Sequence, residues 1–286
     1  MWRSIIAVFL SVGLGCAGVL EETSSGSFIG KGLTVRCVSD AATIRAGQTF
    51  YLGLWIQHEA GYHTYWQNPG LAGVATKIAP KLPAGFRAGA MIYPPPNKVK
   101  MAAISVHGYE HDVLVILPVT APAVLEGASI TIPIQATWMC CQRTCNPGLA
   151  KLSITLKCGP QAIPDAEWAG KVQALLAAQP PRLTGWDLSA ERSERNIVFR
   201  ARPLAGQVLP EAPQFFSLDN MICSDPTQVW QRDGEGFQVQ LALSDFLPTD
   251  ASQLRGLLHG QTTWVTGLVV PYVEIVVPIA PAVAGQ

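Results

Sequence analysis

Ile130-Thr131-Ile132-Pro133-Ile134-Gln135-Ala136-Thr137-Trp138-Met139-Cys140-Cys141 is the stretch on which the fold turns. Apolar side chains occupy every second position, the period of a β-strand with one buried face. Read without a break, the buried face runs Ile130, Ile132, Ile134, Ala136, Trp138, Cys140, while Thr131, Gln135, Thr137, Met139 and Cys141 point the other way. Cys140 is then expected as a packed thiol and Cys141 as an accessible one. Phe50, Leu52, Leu54 and Ile56 alternate in the same manner, as do Val113, Val115, Leu117 and Val119. Leu152, Ile154, Leu156 and Cys158 share a face, and so do Leu33, Val35 and Cys37, which predicts Cys37 and Cys158 as core residues. Short alternating strands separated by turn residues spell a β-sandwich.

One segment breaks the pattern. Within 164–178, Trp168, Val172, Leu175 and Leu176 recur at helical spacing, and Pro180-Pro181 stops the element. The domain junction belongs there, because 196–202, 236–243 and 272–279 again read as strands. The expected organisation is all-β: 1–23 an export signal, 24–160 a first sandwich, 161–181 a short helical linker and 182–286 a second sandwich. A 49% hydrophobic content over 286 residues fills two cores and excludes a disordered chain, and 14% charged residues with 26 Gly and 22 Pro exclude a coiled coil. Twenty basic residues balance twenty acidic ones without a Lys/Arg cluster, so nucleic acid and anionic membrane surfaces are not expected partners.

The first residues read as an address. Arg3 supplies positive charge, 5–14 is an apolar run, and Gly15-Cys16-Ala17-Gly18 supplies the small residues of a cleavage site. The run is too short to cross ~30 Å of hydrocarbon. Gly15-Cys16 also resembles the cleavage box of bacterial lipoproteins, which makes Cys16 the candidate for lipidation and such an anchor the one expected tie to a membrane. The other apolar stretch, 265–285, holds Glu274, Pro271, Pro278 and Pro281, and Val273, Ile275 and Val277 alternate there as in a terminal strand.

Export permits disulfides, and setting Cys16 aside leaves Cys37, Cys140, Cys141, Cys145, Cys158 and Cys223. In an extended strand Cys141 and Cys145 would lie ~13 Å apart, beyond any disulfide, so the chain must fold back for them to meet. Asn146-Pro147-Gly148 offers turn chemistry just after the second of them. Closing so small a loop stabilises by only ~2 kcal/mol in the chain-entropy model, against nearly ~5 kcal/mol for the loop between Cys37 and Cys158. The short pair is therefore the switchable one if either is. Redox exchange, a permanent staple and metal binding stay open for Cys141 and Cys145, and a structural disulfide or two packed thiols for Cys37 and Cys158. Arg143 between the first pair would favour a thiolate.

Trp138-Met139-Cys140-Cys141-Gln142-Arg143-Thr144-Cys145-Asn146-Pro147-Gly148 resembles the Trp-x-x-Cys-x-x-x-Cys-x-Pro segment in the periplasmic N-terminal region of DsbD-like and ScsB-like thiol:disulfide interchange proteins. His63-Thr64-Tyr65-Trp66-Gln67-Asn68-Pro69-Gly70 is similar to that family's Trp-His-x-Tyr-Trp-x-Asn-Pro-Gly block, with Tyr62 where Trp is usual. Gly108-Tyr109-Glu110 and the apolar strand after it resemble a third block.

The resemblance implies immunoglobulin-like sandwiches and a protein-disulfide reductase that takes electrons from a membrane-embedded thiol reductant and passes them to periplasmic thioredoxin-fold proteins. Carried over, Cys145 forms the mixed disulfide and Cys141 resolves it, with no metal and no organic cofactor. The family shields its pair with a cap loop, which aligns with 104–109 and nominates Val106, His107 and Tyr109. Tyr65 and Trp66 are expected to pack across the sandwich rather than to bind a partner, and His63 to serve as a structural hydrogen-bond donor. The sequence carries neither a multi-helix membrane run nor a Cys-x-x-Cys motif, so the reductant is expected in trans.

Two rival readings belong to other classes. A Cu(I)-binding module would use Cys141 and Cys145 with Met139 or a His. A non-catalytic scaffold lipoprotein would hold the same pair permanently oxidised, with a reduction potential below about −300 mV.

Overall fold

A computed structural model describes residues 26–204, 206–207, 210–267 and 271–280; the export signal and Cys16 lie outside the described residues. In chain order the first unit holds β1 (Ser27–Gly30), β2 (Leu33–Ser39), β3 (Ala41–Ile44), β4 (Thr49–His58), β5 (Thr64–Gly70), β6 (Lys77–Pro80) and β7 (Arg87–Ala88). It continues with β8 (Asn97–Met101), β9 (Ile104–Tyr109), β10 (Val113–Thr120), β11 (Ser129–Cys141), β12 (Cys145–Cys158) and β13 (Ile163–Pro164). One sheet runs β1-β2-β4-β10-β7, a second runs β13-β3-β12-β11-β6, and a third, smaller one runs β5-β9-β8.

The alternation read from the sequence is the packing of this sandwich. Phe50, Leu52, Leu54 and Ile56 of β4 are fully buried, facing Ile132, Ile134, Ala136, Trp138 and Cys140 of β11 in one core. Each large apolar side chain buried in this way contributes about 1.5–3 kcal/mol. Leu33, Val35 and Cys37 join the same core, and Cys158 packs against its margin, only partly buried.

β10 is buried on both faces. Val113, Val115 and Leu117 enter the sandwich, whereas Leu114 and Ile116 lie with Val38 under Trp168, Val172 and Leu175 of α1 (Trp168–Ala177). The helix expected as a linker is thus laid across the outer face of the first unit. The unbroken run Val113-Leu114-Val115-Ile116-Leu117 is its sequence trace, since a strand with one solvated face would alternate.

The second unit holds β14 (Trp186–Ser193), β15 (Asn196–Pro203), β16 (Gln214–Ser217), β17 (Gln231–Asp233), β18 (Gly236–Ala242), β19 (Gln253–His259) and β20 (Tyr272–Ala280). They form one sheet in the order β16-β19-β20-β14-β15-β18-β17. Phe199, Val239, Leu258, Val273, Ile275 and Trp264 meet in a single core, so the sheet curls over its own apolar face. The chain is all-β, and among the described residues no helix is long and apolar enough to cross a membrane.

Candidate redox site

The site grows out of the β11–β12 hairpin. Antiparallel pairing runs from Ser129 opposite Lys157 to Cys141 opposite Cys145, leaving Gln142, Arg143 and Thr144 as an exposed tip. The Gln142 N–H donates to the Thr144 carbonyl at 3.2 Å and closes the turn. Cys141 and Cys145 form a disulfide, with Cα atoms 4.2 Å apart and an S–S distance of 2.11 Å.

The fold-back lies before Cys145, not after it. Asn146, Pro147 and Gly148, expected as the turn, are strand residues opposite Cys140, Met139 and Trp138. Asn146 donates from Nδ2 to the carbonyls of Cys140 and Thr144, both at 3.2 Å. Gly148 is the seat of the Trp138 indole: a Cβ there would come within 2.2 Å of the ring.

Parity puts Cys140 and Cys141 on opposite faces of β11, but both are fully buried. The expectation that Cys141 is accessible fails because a second layer covers it. β5, β9 and β8 lie over the outer face of the hairpin end, where Tyr65, Val99 and Val106 pack around Cys141, with Ala72, Met101, Ile104 and Met139 at the margin. His63 fixes this layer to the hairpin by a two-way backbone bridge with Cys141, N–H to carbonyl at 3.0 Å in each direction. Cys145 stays exposed. The accessible cysteine of the pair is therefore Cys145.

Tyr65 brings a polar group of this cover to the disulfide. Its hydroxyl donates to Cys141 Sγ at 3.0 Å, has Met101 Sδ at 3.0 Å and lies 3.8 Å from Cys145 Sγ. Burial, with a smaller contribution from Cys140, pushes its pKa up to about 12, so the proton stays in place across the physiological range. His63 Nε2 lies 3.3 Å from the same hydroxyl, and burial lowers the pKa of this imidazole against the opposing pull of Glu110. Trp66, the neighbour of Tyr65, points into the sandwich core, so the aromatic pair expected to pack together divides between core and site.

The three cap candidates also divide by parity along β9. Val106 faces Cys141. His107 faces away, its ring 6.1 Å from that of Trp66 and 5.0 Å from that of Phe216, with Nδ1 3.3 Å from the Asn68 carbonyl. Tyr109 belongs to the sandwich core and donates to the Pro94 carbonyl at 2.6 Å. Ile104, two positions before Val106, shares its face and was the residue that alternation offered. Met101, its partner across the β8–β9 turn, carried no such signal.

Cys37, Cys140, Cys158 and Cys223 are free thiols, so Cys37 and Cys158 form no disulfide. They lie in different sheets, Cys37 opposite Leu54 and Cys158 beside Ile44. Burial pushes the Cys37 thiol up to about 12 and, with Glu59 adding to it, the Cys140 thiol up to about 11. Among the described residues no group of three or more His, Cys, Asp or Glu is placed to hold a metal ion, and the copper reading gains no support.

Comparison with known proteins agrees with this site. A family model described as "Thiol:disulfide interchange protein DsbD, N-terminal" matches residues 36–157, which span both cysteines and the covering sheet. The crystal structure of the N-terminal periplasmic domain of ScsB from Proteus mirabilis shares the fold at a TM-score of 0.61 and 16% identity, over 89% of this chain and 98% of that one. The sporulation control protein Spo0M of Bacillus subtilis aligns at 8% identity over 87% of this chain and 91% of that one, with a TM-score of 0.23 that carries no argument. No curated protein sequence matches the chain. The first sandwich, over residues 36–157, belongs to the family of DsbD N-terminal domains of thiol:disulfide interchange proteins.

Proposed function

We propose that the chain is a periplasmic thiol:disulfide interchange protein that carries electrons from a membrane-embedded thiol reductant to thioredoxin-fold clients through Cys141 and Cys145. One observation carries the reading: the disulfide offers one sulfur to solvent and keeps the other under a buried hydroxyl donor.

The exchange follows from that asymmetry. A thiolate of the reductant attacks Cys145 Sγ in line with the S–S bond; the new bond forms to Cys145, and the electron pair of the broken bond leaves on Cys141. Tyr65 then donates its hydrogen bond to a full thiolate, an interaction worth roughly 1.5–3 kcal/mol and much stronger than one to a disulfide sulfur. With the proton on Nε2, His63 supports the Tyr65 oxygen from behind. A second thiolate of the reductant displaces Cys145, leaving a dithiol here and a disulfide there, two electrons transferred. Passing them to an oxidised client is the same sequence reversed, with the Cys145 thiolate as nucleophile. No metal or organic cofactor enters either half.

Leu71 and Val74, 45% and 49% exposed, flank Ala72 beside the Cys141 cluster and give a client an apolar rim to rest on. Gly73 between them, at φ +106°, lets the loop close over the Tyr65 ring, where a Cβ would come within 2.2 Å.

Trapping tests the proposal. A Cys141→Ser protein, with Cys145 free and no resolving partner, is expected to accumulate a mixed disulfide with an oxidised thioredoxin-fold protein, visible on a non-reducing gel and mapped by mass spectrometry to Cys145. Failure to form that adduct, while Cys145 still reacts with a small disulfide, would overturn it.

A further inference from the structure

The sheet that covers Cys141 is incomplete by itself. The β5–β9 ladder runs Thr64 opposite Tyr109 and Tyr65 opposite Gly108, then breaks, resuming only at Gly70 opposite Val106. The backbone groups beyond the break are taken up by the second unit. Asp225 Oδ1 accepts from the Ser105 N–H at 2.8 Å. The Ser224 hydroxyl donates to the Ser105 carbonyl at 2.9 Å and accepts from the Leu71 N–H at 2.9 Å. Ser224 is 3% exposed, and Gly70, at φ +84°, makes room for it: a Cβ there would come within 2.2 Å of the hydroxyl oxygen.

The position of these ties matters more than their number. Ser105 is followed by Val106 and preceded by Ile104; Leu71 is followed by Ala72. Val106, Ile104 and Ala72 are all cover for Cys141. One hydroxyl therefore joins the two segments that close over the buried sulfur. The same sheet is gripped again where Asn68 Nδ2 donates to the Ser217 carbonyl at 2.9 Å and to that of Asp219, and where the Tyr272 hydroxyl donates to the Pro96 carbonyl at 2.7 Å just before β8.

We infer that Ser224 and Asp225 are positioning residues for the redox pair: they pin the strands that shield Cys141, so the second domain sets how readily the shield opens. The inference rests on the function proposed above, in which Cys145 meets the partner while Cys141 stays covered. Neither residue touches a reacting sulfur; both act through β9 and the loop after β5. Opening the cover costs, at minimum, the hydrogen bonds that close it.

The experiment reads Cys141 directly. The reduced full chain is pulsed with iodoacetamide and the modification of each cysteine is followed by mass spectrometry, for the natural protein and for Ser224→Ala, Asp225→Ala and Asp225→Asn. Loss of either tie is expected to speed alkylation of Cys141 about tenfold, the change that hydrogen bonds of ordinary strength imply. Asp225→Asn, which keeps an acceptor, should return most of that change. Cys140, one residue away but on the sandwich face, serves as the internal control for general loosening and should remain unreactive. An unchanged Cys141 rate in both alanine variants, or Cys140 speeding in parallel with Cys141, would overturn the inference. Trapping of a client by Cys145 is a separate result, so the clamp can fail while the exchange function stands.

Discussion

Cys140 and Cys141 are consecutive residues, both fully buried, yet they live in different chemistry. The inner face of β11, which Cys140 shares with Ile134 and Trp138, packs into an apolar core that destabilises the thiolate and, with Glu59 adding to it, pushes the Cys140 thiol up to about 11. The outer face meets a thin layer of three strands that brings the Tyr65 hydroxyl to the Cys141 sulfur, with the Met101 thioether and the His63 imidazole against that hydroxyl, and leaves Cys145 exposed. Burial by itself therefore does not decide whether a cysteine is inert. What the cover is made of, and how firmly it is held, decides it.

Acid should act on the outer cover before the inner one. His107 lies at the join between the outer layer and the second domain, where burial lowers its pKa to about 4, the Asn68 carbonyl opposing and Lys98 adding to the shift. Against an unfolded value near 6.5, the unfolded chain binds a proton between pH ~6.5 and ~4 that the folded chain does not. The stability is present above that window and is lost as the pH falls through it, by about 3 kcal/mol in all. Denaturant titrations at pH 7 and pH 4.5 should show this loss, His107→Gln should reduce it, and amides of β9 should lose exchange protection before those of β4. An identical acid loss in His107→Gln would mean that other groups carry it.

A smaller effect isolates the hydroxyl. Tyr65→Phe keeps the ring and removes the donor, which should slow reduction of the disulfide by a dithiol about tenfold and raise the pKa of Cys141 in the reduced protein. Stopped-flow rates across pH check both, and an unchanged rate with an unchanged pH profile would remove Tyr65 from the mechanism. The smallest effect belongs to the inner face. Cys140→Ala should cost about 1 kcal/mol of stability through the small cavity it leaves and should not alter the exchange rate at all; a slower exchange would mean that the two faces are coupled.

The sandwich was legible because strand alternation is local. Phe50 to Ile56 and Ile130 to Cys140 each announce one buried face within a single strand, the unbroken run Val113 to Leu117 announces two, and the opposite orientations of Cys140 and Cys141 follow from the same period. The cover of Cys141 was not legible, because it depends on strands far upstream that pair irregularly. Asn97-Lys98-Val99-Lys100-Met101 reads as polar, and the register of β5 slips between Tyr65 and Gly70. Alternation along β9 did contain the division between Val106, which covers Cys141, and His107 and Tyr109 on the opposite face; a cap treated as a loop hid it. The grip of Ser224 and Asp225 on Ser105 spans more than a hundred residues and leaves no periodic trace.

One cysteine of the pair is offered to a partner and the other is withheld. Alkylating the reduced natural protein for increasing times and reading each cysteine by mass spectrometry measures that difference. Cys145 should be modified first, at a rate close to that of an exposed thiol, with Cys141 slower and Cys140 unmodified until the chain unfolds. Modification of Cys141 ahead of Cys145 would mean that the covering sheet does not withhold Cys141.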